Sequence, residues 1–373
     1  MAAVPISLAS GYGNFAVPPV ALEAATQALA TAQQHNAPLA VSPAAGLPEL
    51  REALAQRYQR RGATVTAEQV VVTAGAKTGL FALLSEMLQP GDDVLMPTPN
   101  WFGFQDLVRR AGGTLRDLPL AAATNYELSP ETLRTALQPN TRLLLLSNPN
   151  NPTGRVYSRA DWTELLAVTQ DFPDLWVLSD EIYEGISFGP EPVPTLLALP
   201  DPHQRHVVVS GFSKSLALAG WGIGHLVAPV ALAEAVTARI FATGAGVPVP
   251  VQAAALAATQ QAEAISSALC EQLKATRQVL LDGLASLPDA PAVVAPEGTY
   301  YVFADFTRWL KPGLPAAAAS AQLVQQLKAA GVEVVDGTTC GAPGFVRLSY
   351  AVPEADLQEA LARMQRLLVQ PVA

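Results

Sequence analysis

Short apolar runs that close on polar or glycine-rich clusters leave this chain few folds to adopt. Val70–Val72 runs into Thr73–Ala76, Leu143–Leu146 into Asn148–Gly154, Leu175–Leu178 into Ser179–Tyr183, and Val207–Val209 into Ser210–Lys214. A further run, Asp93–Met96, stops at Pro97. These runs lack strict alternation of apolar and polar residues. Each therefore suits a strand buried on both faces, as in a parallel sheet covered by helices. Helical patterns such as Lys77–Leu88 separate them, which is the arrangement of strand–helix–strand crossovers. Ligands on such sheets collect beyond the carboxyl ends of the strands, so the clusters predict one site assembled from distant segments.

From Leu269 onward the pattern changes. Leu269–Leu287, Ala316–Ala330 and Glu354–Leu368 read as helices, and Tyr300–Phe303, Val332–Val335 and Phe345–Tyr350 as strands. The expected fold class is α/β, a mainly parallel sheet flanked by helices, joined to a smaller α+β domain. A length of 373 residues allows two to three domains. The expected division is a large domain over 41–268 and a smaller one built from 1–40 and 269–373.

Composition narrows the function. Lys+Arg total 23 against 32 for Asp+Glu, a net charge of −9. An acidic chain with only Lys77, Lys214, Lys274, Lys311 and Lys328 as lysines is a poor general nucleic-acid binder. The 50% hydrophobic fraction excludes a disordered chain. Cys270, Cys340 and the four histidines show no metal-ligand spacing, which argues against a metal hydrolase. Met1–Ser10 has neither a basic nor a long apolar segment, and glycines and prolines break the apolar stretch 241–259. A cytoplasmic enzyme with no membrane partner is expected.

Each cluster has a plain reading and a chemical one. Thr73–Lys77 alone is a tight turn into a helix, and it lacks nucleotide P-loop spacing. Helix starts nevertheless bind phosphate through unpaired N–H groups. Asn148-Pro-Asn-Asn-Pro-Thr-Gly154 is turn-forming, but its repeated Asn-Pro steps are unusual for an ordinary loop and leave amide side chains at the sheet edge. Asp180 is either a helix cap or the partner of a cation. Lys214, just beyond a buried strand, is either a loop lysine or a desolvated nucleophile able to form a Schiff base.

Together the four clusters resemble those of the class I/II aminotransferases, pyridoxal-phosphate (PLP) enzymes of fold type I, over most of the chain from about Leu8 to Leu368. The resemblance implies that Lys214 holds PLP as an internal aldimine and moves the proton at the substrate Cα. It implies that Asp180 pairs with the pyridinium, and that Asn151 and Tyr183 bond the phenolate oxygen. Trp101 would stack on the ring. Gly75, Ala76 and Lys77, with Ser210 and Ser213, would hold the phosphate. Arg347 would clamp the substrate carboxylate, a task suited to a planar guanidinium. Gly11, on a segment that closes over the substrate, and Tyr300 would line the pocket. The activity implied is transfer of an amino group from an L-amino acid to a 2-oxo acid by a ping-pong mechanism, in a homodimer. Another PLP reaction, such as β- or γ-elimination, uses the same residues, and a degenerate fold acting as a binding protein is a third reading.

The chain departs from the pattern where phosphate partners are expected. Gly222 replaces an arginine and Val41 a tyrosine that reaches across the subunit interface. The N-terminal arm of many relatives is expected to be short or absent. Losing a charge-assisted hydrogen bond of about 1.5–3 kcal/mol predicts PLP affinity lower by roughly one to two orders of magnitude. Strand alternation would turn His225 away from the face of Gly222. Aspartate-like specificity needs a second cation, which the sequence does not assign, so neutral or aromatic donors are expected.

Overall fold

The apolar runs form the centre of the computed structural model, which describes residues 4–244 and 246–368. Residue 245 and the outermost parts of the expected terminal segments, 1–3 and 369–373, lie outside that description. In chain order the strands are β1 (Ile6–Ser7), β2 (Val70–Thr73), β3 (Asp93–Thr98), β4 (Thr114–Pro119), β5 (Thr141–Ser147), β6 (Trp176–Asp180), β7 (His206–Gly211), β8 (Gly224–Val227), β9 (Ala292–Val293), β10 (Tyr301–Asp305), β11 (Val332–Glu333), β12 (Val335–Asp336) and β13 (Phe345–Ser349). Three helices matter most below: α1 (Pro19–Gln34), α2 (Pro48–Arg60) and α3 (Ala76–Met87).

The large sheet has seven strands in the order β2-β8-β7-β6-β5-β3-β4. Its ladders are parallel except those of β8, which runs against both neighbours. Leu143–Leu146 are almost fully buried, alternate residues packing into cores on opposite faces. Burying a leucine side chain is worth about 1.5–3 kcal/mol, so this run pins the sheet between its helical layers.

The smaller sheet, β12-β13-β10-β9, is antiparallel, and β1 pairs in parallel with β11. The strand expected over Val332–Val335 is divided, with β11 and β12 in different sheets on either side of Val334. The helix expected from Leu269 begins earlier and spans Ala262–Ala285, across the domain boundary placed at 268. Leu8 joins Leu273, Tyr300, Tyr301 and Leu348 in one apolar core, tying the start of the chain to its C-terminal part. Among the described residues no helix is long and apolar enough to cross a membrane.

Candidate active site

Because β8 runs against its neighbours, its first residue reaches the edge where β2 and β7 end. Thr73 and Gly211 both pair with Gly224. Asp180 lies opposite Ser147 on one side and Val209 on the other. A Cβ on Gly224 would lie 2.4 Å from the Ala76 backbone nitrogen, so only glycine lets α3 start against this strand. Gly75 turns the chain into α3 at φ +86°, and no side chain caps the helix. The first N–H groups of α3 therefore have no intrahelical acceptor, and with the helix dipole they favour an anion.

Lys214 stands beside this helix start with 9% of its surface exposed. Its Nζ donates to the Gly11 carbonyl, and the Tyr12 ring lies over it at 3.8 Å. Burial pushes the ammonium down to about 7; Arg347 and Lys77 add repulsion and Asp180 opposes it. Asp180 accepts the Ile182 N–H at 3.2 Å. Burial pushes its carboxyl up to about 7, against the pull of that N–H and of Lys214, with Glu181 adding to the rise. Among the described residues, Lys214 is the one cation acting on it.

Arg347 reaches the same space from β13. Its Nη1 donates to Asn151 Oδ1 and its Nη2 to the Ala9 carbonyl, both at 3.0 Å, while Nε is buried without a partner. The guanidinium stacks 4.2 Å from the centroid of the Tyr301 ring. Tyr300 and Tyr301 donate to the Gly11 carbonyl at 2.8 and 3.2 Å, and the Tyr183 and Tyr301 hydroxyls are 2.8 Å apart. Burial, reinforced by Tyr300 and Tyr301, raises the Tyr183 phenol well above its usual range, so it keeps its proton.

Behind the site, three arginine–glutamate contacts hold the loop after β6, one of them Arg61 to Glu184 at 3.6 Å. Arg61 donates to Glu181 at 3.1 Å, and Arg57 pairs with Glu184. Glu181 also accepts from the Leu196 N–H and the Thr195 hydroxyl at 2.9 and 3.1 Å. His225 bonds Tyr58 at 3.0 Å, and burial holds it down to about 3, a neutral core histidine. Gly222 is not in the strand: it precedes β8, exposed, at φ +64°, so strand alternation does not relate it to His225.

The sequence-predicted residues thus gather from separate segments. Trp101 is half-buried, packs edge-on against Phe104, and has Lys77 Nζ 5.1 Å from its ring. Ser210 donates its hydroxyl proton to the Glu181 carbonyl at 3.1 Å. Val41 is on the surface, with 94% exposed. Sequence reasoning missed Tyr12, Tyr301, Arg57 and Arg61. The doublet Tyr300-Tyr301 was the available signal for one of them: Tyr301 opens β10, Tyr300 precedes it, and both hydroxyls reach the Gly11 carbonyl.

Comparison with known proteins settles the family. The family described as aminotransferase class I and II matches residues 4–364. The chain belongs to it. It is a PLP-dependent aminotransferase, similar to enzymes named for aspartate. The aspartate/prephenate aminotransferase of Thermus thermophilus is 35% identical over 370 residues, covering 97% of this chain and 91% of that protein. The aspartate aminotransferase of Streptomyces avermitilis is 33% identical over 370 residues, covering 97% and 89%. The solved aspartate aminotransferase of Thermus thermophilus with maleate has a TM-score of 0.89 at 34% identity, covering 98% of this aminotransferase and 92% of that chain.

Proposed function

We propose that Lys214 carries PLP and moves the proton at the substrate Cα, with an acidic amino acid as donor. The observation that carries this reading is the meeting, at one sheet edge, of a buried lysine poised near neutrality and a buried carboxyl with no other cation acting on it among the described residues. The residues present fit the cofactor: among the described residues Lys214 is the one cation acting on Asp180, and a protonated ring nitrogen would supply a second, while α3 offers uncapped N–H groups to a phosphate. When bound, PLP supplies an electron sink for the bonds at the substrate Cα.

The chain's own residues do the rest. Lys214, partly unprotonated at pH 7, would supply the amine that holds the cofactor and, when free, the base that takes the proton from the substrate Cα. Asp180 holds the positive charge of the ring. Tyr183 keeps its proton and donates. Asn151, with Oδ1 engaged by Arg347, would have its NH2 group left to donate to the cofactor oxygen. Gly75, Ala76 and Lys77 hold the phosphate by backbone N–H groups, with Ser213 as the hydroxyl, because Ser210 donates elsewhere. Trp101 flanks the ring. Arg347 binds the carboxylate, and Gly11 and Tyr300 wall the pocket. Amino donor and 2-oxo acid bind in turn to the same groups, giving a ping-pong mechanism.

Two observations favour an acidic donor over the neutral or aromatic one expected from sequence. The similar proteins are named for aspartate or prephenate, and Lys77 extends over Trp101 as the missing second cation. Lys77→Ala should lower kcat/KM for aspartate about tenfold or more relative to alanine, the size of one charge-assisted bond. A weaker PLP affinity with unchanged donor preference would assign Lys77 to the phosphate instead. Mixing the protein with PLP should give a visible absorbance band that Lys214→Ala removes and that aspartate converts; no band at saturating PLP would refute the assignment of Lys214.

The same proposal includes the two-domain division, supported by the separate core around Leu8 and Tyr300. It includes a homodimer, supported by exposed Leu22, Leu29, Leu39 and Val41 along α1 and the segment after it. A cytoplasmic location is supported by two free cysteines.

A further inference from the structure

A cleft lies at the end of the large sheet opposite the active site. β7 runs from His206 to Gly211, so its first residue stands about 16 Å of strand away from the edge where Gly211 meets Gly224. The cleft opens there between the start of β7, residues 197–199, the segment before β2 and the start of a further helix, α4 (Val230–Thr243). Its volume is about 490 Å³, room for a small molecule. Val230 and Ala231 line it, no side chain caps α4, and their N–H groups make no hydrogen bond among the described residues. Two free donors at the positive end of a helix favour a carboxylate. His206 lines the same cleft, is only 7% exposed, and its buried Nδ1 has no partner. Burial holds its ring below the usual range, against Asp201 and the Leu196 carbonyl, so at neutral pH one ring nitrogen can accept a proton donor. Asp201 is the one acid among the lining residues. Its carboxylate accepts the Arg205 and His206 N–H groups at 2.9 and 2.8 Å and stands 4.0 Å from His206 Nδ1.

We propose that this cleft is a second binding site, which takes a free amino acid with an apolar side chain and does not react with it. The carboxylate meets the Val230 and Ala231 N–H groups, the ammonium lies beside Asp201 and His206, and the side chain rests against Val65, Leu197 and Leu199, the apolar wall. Asp201 repels an acid that carries no positive charge, and the start of α4 repels an amine that carries no negative one. Only a ligand with both charges meets both ends, so the site selects by repulsion as well as by attraction. The inference does not depend on the role of Lys214.

The test uses the PLP-loaded protein and 1-aminocyclopentane-1-carboxylate, an apolar zwitterion with no Cα proton to lose. Cyclopentanecarboxylate lacks its ammonium, and cyclopentylamine lacks its carboxylate. Binding is read from the ring NMR signal of His206, assigned by its loss in His206→Gln, so a ligand at the active site is not counted. In wild type the zwitterion should shift that signal with a Kd at least about tenfold below that of either comparator, the size of one charge-assisted bond. Val230→Pro removes one N–H at the first helical position, where proline is accepted, and should weaken the zwitterion about tenfold. Val230→Ala keeps the N–H and should weaken it less. No shift in wild type up to about 10 mM zwitterion overturns the proposal, and this arm stands even if Val230→Pro fails to fold. A cyclopentanecarboxylate Kd equal to that of the zwitterion also overturns it, since Asp201 would then select nothing. So does equal weakening, or none, in Val230→Pro and Val230→Ala, because the start of α4 would then not hold the carboxylate.

Discussion

Arg347 Nη1 donates to Asn151 Oδ1 at 3.0 Å, joining β13 of the smaller sheet to the turn that follows β5 of the larger one. One bond therefore sets two things. It fixes which face of the Asn151 amide points into the site, and it holds the guanidinium where two sheets meet. The buried Nε of Arg347 has no partner. A buried donor left unpaired costs about 1–3 kcal/mol, which an incoming carboxylate can offset.

Replacing Arg347 by lysine keeps the charge and loses the fork. A lysine ammonium cannot bond Asn151, Ala9 and a carboxylate in the same plane. The expected result is a fall of about 10–100-fold in kcat/KM, for amino donor and 2-oxo acid alike. Steady-state kinetics in both directions check it. A loss confined to one direction would show that the two acids are not held by the same group.

The arginines of the α2 region support the loop that carries Asp180 and Tyr183. Glu181 is fully buried and bonds Arg61 at 3.1 Å. Arg61→Ala leaves that carboxylate without its cation and should cost about 3–5 kcal/mol. Adding Glu181→Gln should recover part of the loss, as expected for residues in contact. Urea denaturation of the two single variants and the double variant measures the coupling. Strictly additive losses would mean that the pair does not interact in solution.

Much of this architecture was legible because the runs that carry it are buried on both faces. Val70–Val72, Leu143–Leu146 and Val207–Val209 read as strands without any knowledge of their neighbours. Thr114–Pro119 and Gly224–Val227 did not. The first is an edge strand with alternate residues half-exposed, and the second holds only four residues, opening on a glycine and a histidine. Of the site, the residues with a distinctive local motif were readable: Lys214, Asp180 and the Asn148–Gly154 turn. Tyr12, Arg57 and Arg61 act through contacts distant in sequence, and nothing local marks them.

Gly222 bears on PLP affinity. It is exposed at φ +64°, with open space where a side chain would begin. An arginine there has room but must hold a left-handed backbone, at about 1–2 kcal/mol. That strain is present with and without cofactor, so it lowers stability and leaves the binding gain intact. Gly222→Arg should tighten PLP binding about tenfold or more while lowering the Tm of the apoprotein by about 2 °C. Titration of apoprotein with PLP and thermal melts check the two halves. An unchanged Kd would mean that another cation already meets the phosphate.

Lys214 and Asp180 give the apoprotein an unusual dependence on pH. The Lys214 ammonium titrates at about 7 in the folded chain, below its ordinary 10.5. Between those values the unfolded chain binds more protons, so stability rises with pH across that window. The Asp180 carboxyl titrates at about 7, above its ordinary 3.8. Its contribution is fully present below the lower value and is lost as pH rises to the upper one. The two trends meet at neutrality, so together they place a stability minimum near pH 7. Lys214→Met should flatten the alkaline rise, and Asp180→Asn the acid-side fall. Urea midpoints of the apoproteins at about pH 5, 7 and 9 measure both. An alkaline slope in Lys214→Met equal to that of wild type would show that the lysine is not desolvated in the folded apoprotein, and with it would go the reason for its reactivity at neutral pH.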